Sequence, residues 1–404
     1  MGWFQANQNG NISVKIALVI ERIEAWRGGA ETSTMELGRL LTDRGHDVHL
    51  ITTTNAQSLP KITIHTLRCP AVLRSLRTAS FAKRAAVFLR RNEFDIVHAV
   101  SPLPSADVYQ PRGGLLREVM ERNVATRPTA SRRLLKRATM AMNVKQKALL
   151  DLEARIFRPD GPTVLAVSDY VARQCRRFYN VGEPRVRVVF NGVNVQPPSP
   201  EQRLKDRAAL REEHQFADDV LVLLFMAHNF RLKGLYPLIE TVGRLVVSGF
   251  KRFHLLVVGR DNVVPYQKRI NAMGLSEYVT FTGPTRRSTE FFLGADVCVH
   301  PTFYDPCSRV VLEALSLGRP VITTSFNGAA EVIQDGCNGF VIKTPDDIGL
   351  WARRIEDLSS ADLRGKIAAK AQSIREDISM TRHVEQLDNV FTEIAERKGC
   401  RAAQ

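Results

Sequence analysis

The sequence predicts an α/β protein built from two doubly wound, Rossmann-like domains in series. Three observations carry that reading. Short apolar runs of β character alternate with longer helical stretches along most of the chain. The alternation breaks once, at VQPPSPEQRLKD (195–206), where three prolines sit among polar residues. A length of 404 residues suits two domains of ordinary size better than one core.

The first apolar run is VKIALVI, followed by AWRGGAE, a loop with paired glycines. ETSTMELGRLLTDRG then places apolar residues at helical spacing and stops at Gly45, and DVHLITTT returns to strand. This is the βαβ pattern of a parallel sheet flanked by helices. FDIVHAV (94–100), TVLAVS (163–168) and RVRVVFNGV (185–193) repeat it. Beyond the proline segment come DVLVLLFMA, FHLLVVG, YVTFTG, DVCVHP, PVITT and GFVI, spaced by helices, and then one amphipathic helix, SMTRHVEQLDNVFTEIAER. The expected boundaries are 1–196 for the first domain, 197–378 for the second and 379–404 for the tail helix. The carboxyl ends of two such sheets are expected to face each other across a cleft.

Composition narrows the function classes. No apolar run approaches the roughly 18–20 residues that span a bilayer. The start, MGWFQANQNGNISVKIALVI, lacks the layout of a signal peptide, so a cytoplasmic location is the default expectation. The six cysteines form no C-x-x-C pair and no regular spacing, which argues against a zinc site or a disulfide framework. A formal net charge of +15 calls for an anionic partner: nucleic acid, a membrane surface or a phosphorylated substrate. The first half carries the excess, in AVLRSLRTASFAKRAAVFLRR and LLREVMERNVATRPTASRRLLKRATMAM. Apolar and basic residues alternate there at helical spacing, which fits either docking on an anionic membrane leaflet or a solvated basic face.

Four features of the second domain bear on chemistry. AHNFRLKG (227–234) lies between a strand and a helix and offers Arg231 and Lys233 to a pyrophosphate, or is a solvated basic turn. VVGRD (257–261) ends a strand in glycine and Arg260, a common ligand border and a common turn. Asp305 precedes a helix and Glu313 lies within it, with Pro306-Cys307-Ser308 between strand and helix, so amides at the helix start suit a phosphate. SFNGAAEVIQDGCNGFVI (325–342) is a glycine-rich turn that reads equally well as scaffold.

HPTFYDPCSRVVLEALSLGRPVITT resembles the donor-sugar segment of the retaining glycosyltransferases of family 4, whose fold is the two-domain GT-B arrangement. Their frame is E-G-F-G-x-x-x-L-E-A-x-A-x-G-x-P-V; here Asp305 replaces the first glutamate and Pro-Cys-Ser stands where Gly-Phe-Gly is usual. The resemblance extends to Gly28-Gly29-Ala30-Glu31, FDIVHA, AVSDYV, FNGVN and the tail RHVEQL, and so covers almost the whole chain. It implies that Gly29 approaches the donor phosphates through its backbone and that Arg231 and Lys233 neutralise the leaving diphosphate. Glu313 would hold the ribose, Asp305 the transferred sugar, and amides at Cys307, Ser308, Arg309 and Val310 the phosphate and sugar. The usual phosphate arginine is His228 here, leaving Arg231 to substitute. Within the family the chain is most similar to the lipopolysaccharide-core glucosyltransferase type, which places Asp107 toward the acceptor hydroxyl and His98 beside the sugar. Both also read as ordinary residues, a strand-end or helix-cap aspartate and a core histidine.

The resemblance implies retaining transfer of a hexose from a nucleotide sugar, UDP-glucose or a similar UDP-hexose. The acceptor would be a lipid-linked or lipopolysaccharide-core sugar. Neither metal nor cofactor is expected, because a cationic turn and a helix N-terminus can stabilise a departing diphosphate and no D-x-D stands where a divalent ion would sit. Other readings are a family member acting on another glycan or small acceptor, a GT-B epimerase or phosphorylase, a non-catalytic binder, and a basic nucleic-acid-binding protein. The last lacks a recognition element and interleaved aromatics.

Overall fold

The structure, a computed structural model, describes residues 13–24, 28–54, 60–69 and 76–402, with side chains to residue 399. The N-terminal segment through residue 12, the first three residues of AWRGGAE and the first five of AVLRSLRTASFAKRAAVFLRR, Arg74 included, lie outside these. The chain divides into two compact units, residues 1–194 with 380–404 and residues 195–379. The divisions fall at Asn194/Val195 and Ser379/Met380, against the expected 196/197 and 378/379.

The first unit holds seven parallel strands: β1 (Lys15–Val19), β2 (Asp47–Thr52), β3 (Thr63–Thr66), β4 (Ile96–Ala99), β5 (Val108–Tyr109), β6 (Thr163–Ala166) and β7 (Val186–Val188). Their order is β3-β2-β1-β4-β5-β6-β7. Central strands are covered by helices on both faces, so β1 and β4 read as unbroken apolar runs rather than alternating ones. β3 and β5 escape the sequence reading for opposite reasons. β3 is an edge strand with no fully buried residue, and β5 is only two residues long, too short for any period to show.

The tail helix Met380–Ala402 belongs to this first unit. Met380, Val384, Leu387 and Phe391 recur every three or four residues and join Ile16, Leu18, Leu37 and Leu41 in one core. A buried polar network fixes its angle. Arg112 donates from Nε to Gln110 Oε1 at 2.9 Å, from Nη1 to Ser33 Oγ, and from Nη2 to His383 Nε2 at 3.1 Å. His383 Nδ1 lies 2.7 Å from the Phe190 carbonyl, which can only accept. His383 therefore carries its proton on Nδ1 and receives the guanidinium at Nε2.

The second unit holds six parallel strands: β8 (Leu221–His228), β9 (Phe253–Arg260), β10 (Val279–Gly283), β11 (Val297–His300), β12 (Val321–Thr324) and β13 (Phe340–Ile342). Their order is β10-β9-β8-β11-β12-β13. These are the six runs read from the sequence. Each sheet winds outward in both directions from its first strand, so the order reverses between β1 and β4 and between β8 and β11. In such sheets the loops leaving the carboxyl ends at the reversal diverge and open a crevice. Among the described residues no helix is long and apolar enough to cross a membrane.

Candidate functional site

In the second unit the reversal brings together the turn after β8 and the loop after β11. Asn229 adopts a left-handed conformation (φ 57°) and its Oδ1 accepts the Leu232 amide at 3.3 Å, so the chain bends tightly as it leaves β8. The Phe230 amide donates to Asp261 Oδ2 at 2.7 Å, tying the turn to the end of β9. Gly234 closes the turn at φ +85°, and a Cβ there would sit 1.8 Å from the Pro301 carbonyl oxygen. Only glycine allows the two loops to approach this closely. Gly259 plays the same part in β9, where a Cβ at φ +136° would meet the Ala227 carbonyl oxygen at 1.8 Å.

The Phe303 amide then donates to the Leu232 carbonyl at 2.8 Å, and Lys233 reaches across to the β11 loop. Its Nζ donates to the Tyr304 carbonyl at 3.0 Å and to Asp305 Oδ2 at 2.6 Å. Asp305 is 8% exposed. Burial alone would raise its pKa, but the Lys233 ammonium and the His300 ring together hold the carboxyl well below the usual range. His300 Nε2 lies 3.4 Å from both Asp305 Oδ2 and Ser308 Oγ. Burial lowers the His300 pKa, against the opposing pull of its contact with Asp305.

Backbone contacts lock Asp305 further. Its amide donates to the Phe326 carbonyl and its carbonyl accepts from the Gly328 amide, both at 2.9 Å. Between those residues, Asn327 Oδ1 accepts the amides of Ser308 and Ala329, each at 3.0 Å. Asn327 Nδ2 donates to Thr323 Oγ1 at 3.0 Å. Asn327 is thus the organiser of the loop. The sequence showed only a glycine-rich turn there, although Asn before Gly is the one available signal for such a local cap.

The expected site residues fall into two groups. Asp305, Pro306, Cys307, Ser308, Arg309, Val310 and Glu313 lie on one loop and the helix Arg309–Ser316 that follows it, and Lys233 joins them from the turn after β8. Pro306 and Cys307 are buried, while Arg309 and Val310 are half-buried at the helix start. The Ser308 amide, expected to meet a phosphate, is occupied by Asn327, which corrects that assignment. The Arg309 side chain donates to Glu313 Oε1 at 3.3 Å and so orients the glutamate. Arg231 lies with its guanidinium 4.9 Å from the Tyr236 ring centroid. Exposed Arg260 pairs in register with His228 at the carboxyl ends of β9 and β8.

In the first unit, Gly29 is exposed at the first position of the helix Gly29–Asp43. Two other assignments are corrected. Asp107 does not present its carboxylate at the carboxyl edge of the sheet. It precedes β5, and Oδ2 accepts the Val97 amide at 2.8 Å and Lys398 Nζ at 2.7 Å, while Lys398 also binds the Asp95 carbonyl ahead of β4. Asp107 is an anchor for the tail helix. His98 is fully buried and meets Phe391 edge-on at 5.6 Å, so it lines the core rather than a sugar site. Burial, then the charge of the Arg112 guanidinium, depress its pKa from 6.5 to about 3. Among the described residues no group of three His, Cys, Asp or Glu side chains could hold a metal ion, and the five cysteines whose side chains are described form no disulfide.

The family described as "Glycosyl transferases group 1" matches residues 206–374, and that described as "Glycosyltransferase Family 4" matches residues 27–197. Among curated proteins, the chain is 24% identical over 325 residues to the lipopolysaccharide glucosyltransferase WaaG of Escherichia coli K12, covering 79% of this chain and 82% of WaaG. It is 26% identical over 197 residues to an uncharacterized glycosyltransferase, MJ1607, of Methanocaldococcus jannaschii. That match covers 48% of this chain and spans about half the length of the relative (50%). The crystal structure of WaaG superposes with a TM-score of 0.79 at 21% identity, covering 93% of this chain and 99% of WaaG. Anabaena HepE in complex with UDP and glucose gives 0.69 at 19% identity, with 94% and 99% covered.

The buried histidine yields a pH prediction for this unit. Between pH 6.5 and about 3 the unfolded chain takes up a proton at His98 that the native chain excludes. Stability from this residue is therefore complete above pH 6.5 and declines as the pH falls through that window. Urea titrations at stepped pH should show the decline in the natural protein and a shallower one in His98→Leu. Equal slopes would mean that His98 is not the group responsible.

Proposed function

Since the chain belongs to the family 4 glycosyltransferases of GT-B fold, we propose that it moves a hexose from a nucleotide sugar to a sugar acceptor, retaining the anomeric configuration. One observation supports the donor assignment above others: Lys233, Asp305, Glu313 and the start of the helix Arg309–Ser316 gather at the strand-order reversal of the second sheet. There Lys233 and Arg231 meet the diphosphate, and the positive end of the helix adds to them. Glu313, steadied by Arg309, takes the ribose hydroxyls. The donor is a UDP-hexose such as UDP-glucose, a choice that HepE, crystallised with UDP and glucose, supports by likeness of fold.

In the proposed reaction the acceptor hydroxyl attacks the anomeric carbon from the face the diphosphate leaves. The new C–O bond forms as the bond to the phosphate oxygen breaks, and that oxygen receives the hydroxyl proton. No resident metal enters the proposal: the charge building on the leaving oxygen is met by Lys233, already held by the Tyr304 carbonyl and Asp305, and by Arg231 beside it. Replacing Lys233 with Ala should lower kcat about 10²–10³-fold with an unchanged circular dichroism spectrum. Near-normal turnover would end the assignment.

For the acceptor we propose a lipid-linked or lipopolysaccharide-core sugar, in keeping with WaaG's name as a lipopolysaccharide glucosyltransferase, met at the cytoplasmic face of an anionic membrane. The two basic amphipathic segments differ in how far their described apolar residues are exposed, Leu76 and Val87 of the first standing at 39% and 41%. The helix Arg77–Arg91 turns Phe81, Ala82 and Ala85 into the core. The helix Ala130–Ala141 instead leaves Leu134 and Leu135 68% and 65% exposed, beside exposed Arg132, Arg133 and Arg137. Met142 and Val144, just beyond it, are also exposed. Apolar side chains ringed by cations suit an anionic lipid surface. Sedimentation with phosphatidylglycerol vesicles should capture the protein, salt should release it, and the Leu134→Glu, Leu135→Glu double variant should bind at least tenfold more weakly. Binding indifferent to anionic lipid and salt would remove the membrane from the account.

A further inference from the structure

We infer that Asp305 acts on the donor through Lys233, as the residue that positions the ammonium, and does not itself hydrogen-bond the transferred sugar. The inference rests on the reading of Lys233 as the diphosphate ligand and gives the neighbouring acid a different role from the one its place in the motif implies.

The geometry is specific. A lysine ammonium has three protons and a flexible four-carbon stem. Here one proton goes to the Tyr304 carbonyl at 3.0 Å and a second to Asp305 Oδ2 at 2.6 Å. Those two contacts fix the direction of the third. Asp305 can impose that direction because it is itself immobile. Its amide and carbonyl are both bound to the 326–328 segment, and His300 stands 3.4 Å behind the same oxygen that takes the lysine. Aspartate is also one methylene shorter than the glutamate usual at this place. Its carboxylate therefore stays back against the ammonium, with a side chain only 12% exposed. A lysine held before the ligand arrives loses less freedom on binding, which raises affinity for the group it meets.

The two roles separate in a binding experiment. The ligand pair is whichever of UDP, GDP or ADP the natural protein binds most tightly, with the matching nucleoside diphosphate hexose, measured by titration calorimetry. A positioning residue acts on the diphosphate, so Asp305→Asn should weaken the free nucleoside diphosphate and its hexose conjugate by the same factor, at least tenfold. The double variant with Lys233→Ala should bind no more weakly than Lys233→Ala alone, because the acid then has no ammonium to direct. If Asp305→Asn leaves the nucleoside diphosphate within twofold of the natural protein while the conjugate weakens, Asp305 touches the sugar and the inference is wrong. If Lys233→Ala binds the nucleoside diphosphate as tightly as the natural protein, the donor reading falls and the inference falls with it. Asp305→Glu keeps the charge and guards against a variant that does not fold. Equal shifts for the two ligands support positioning, and a shift confined to the conjugate overturns it.

Discussion

The close passage of Gly234 against Pro301 is the constraint on which the candidate site depends. A parallel sheet that reverses its strand order leaves two loops side by side, but reversal alone does not fix their spacing. The missing side chain at Gly234 lets the β8 turn settle onto the β11 loop at a distance where any Cβ would overlap a carbonyl oxygen. From that contact follow the Phe303–Leu232 backbone bond and the reach of Lys233 to Asp305. The acid and the lysine are 72 residues apart in sequence, and the glycine is what makes them neighbours.

The resulting ion pair has a defined electrostatic character. Two charges removed from water gain little by pairing unless their remaining hydrogen-bonding capacity is also met. Here the Tyr304 carbonyl and the His300 ring supply those further partners. Asn327 closes the loop from the other side by holding two amides with one oxygen. The site is built from a rigid polar lattice under a helix start, with the basic turn laid over it. Such a lattice costs little reorganisation when an anionic ligand arrives, the condition under which fixed charges act most strongly on a reaction.

The fold was largely legible because its central strands are buried on both faces and therefore spell continuous apolar runs, as in LVLLFMA and FHLLVVG. β3 and β5 were not, one lying at an edge and the other only two residues long. The donor segment was recognisable because spacing along one loop and helix survives folding unchanged. For Asp107 and His98 the sequence leaves a site reading and an ordinary one open, for a different reason. A strand's sequence does not say which end of it a carboxylate will serve, nor that a helix from the far end of the chain will cover a histidine. Lys398 and Phe391 decide those two cases, and both lie roughly three hundred residues away. The sequence likewise could not reveal that Asn327 takes the Ser308 amide, since capping is a matter of geometry.

The first unit answers to its own constraint, the Arg112 network that seats the tail helix through His383. The central claim nevertheless concerns the second unit, that the β8 turn and the β11 loop bind the nucleotide sugar. Amide hydrogen exchange on the full chain, with and without saturating UDP-glucose, tests it most directly. The account predicts slower exchange in residues 229–234 and 305–313 on adding the ligand. Exchange unchanged in both segments, with protection appearing elsewhere in the chain, would contradict it.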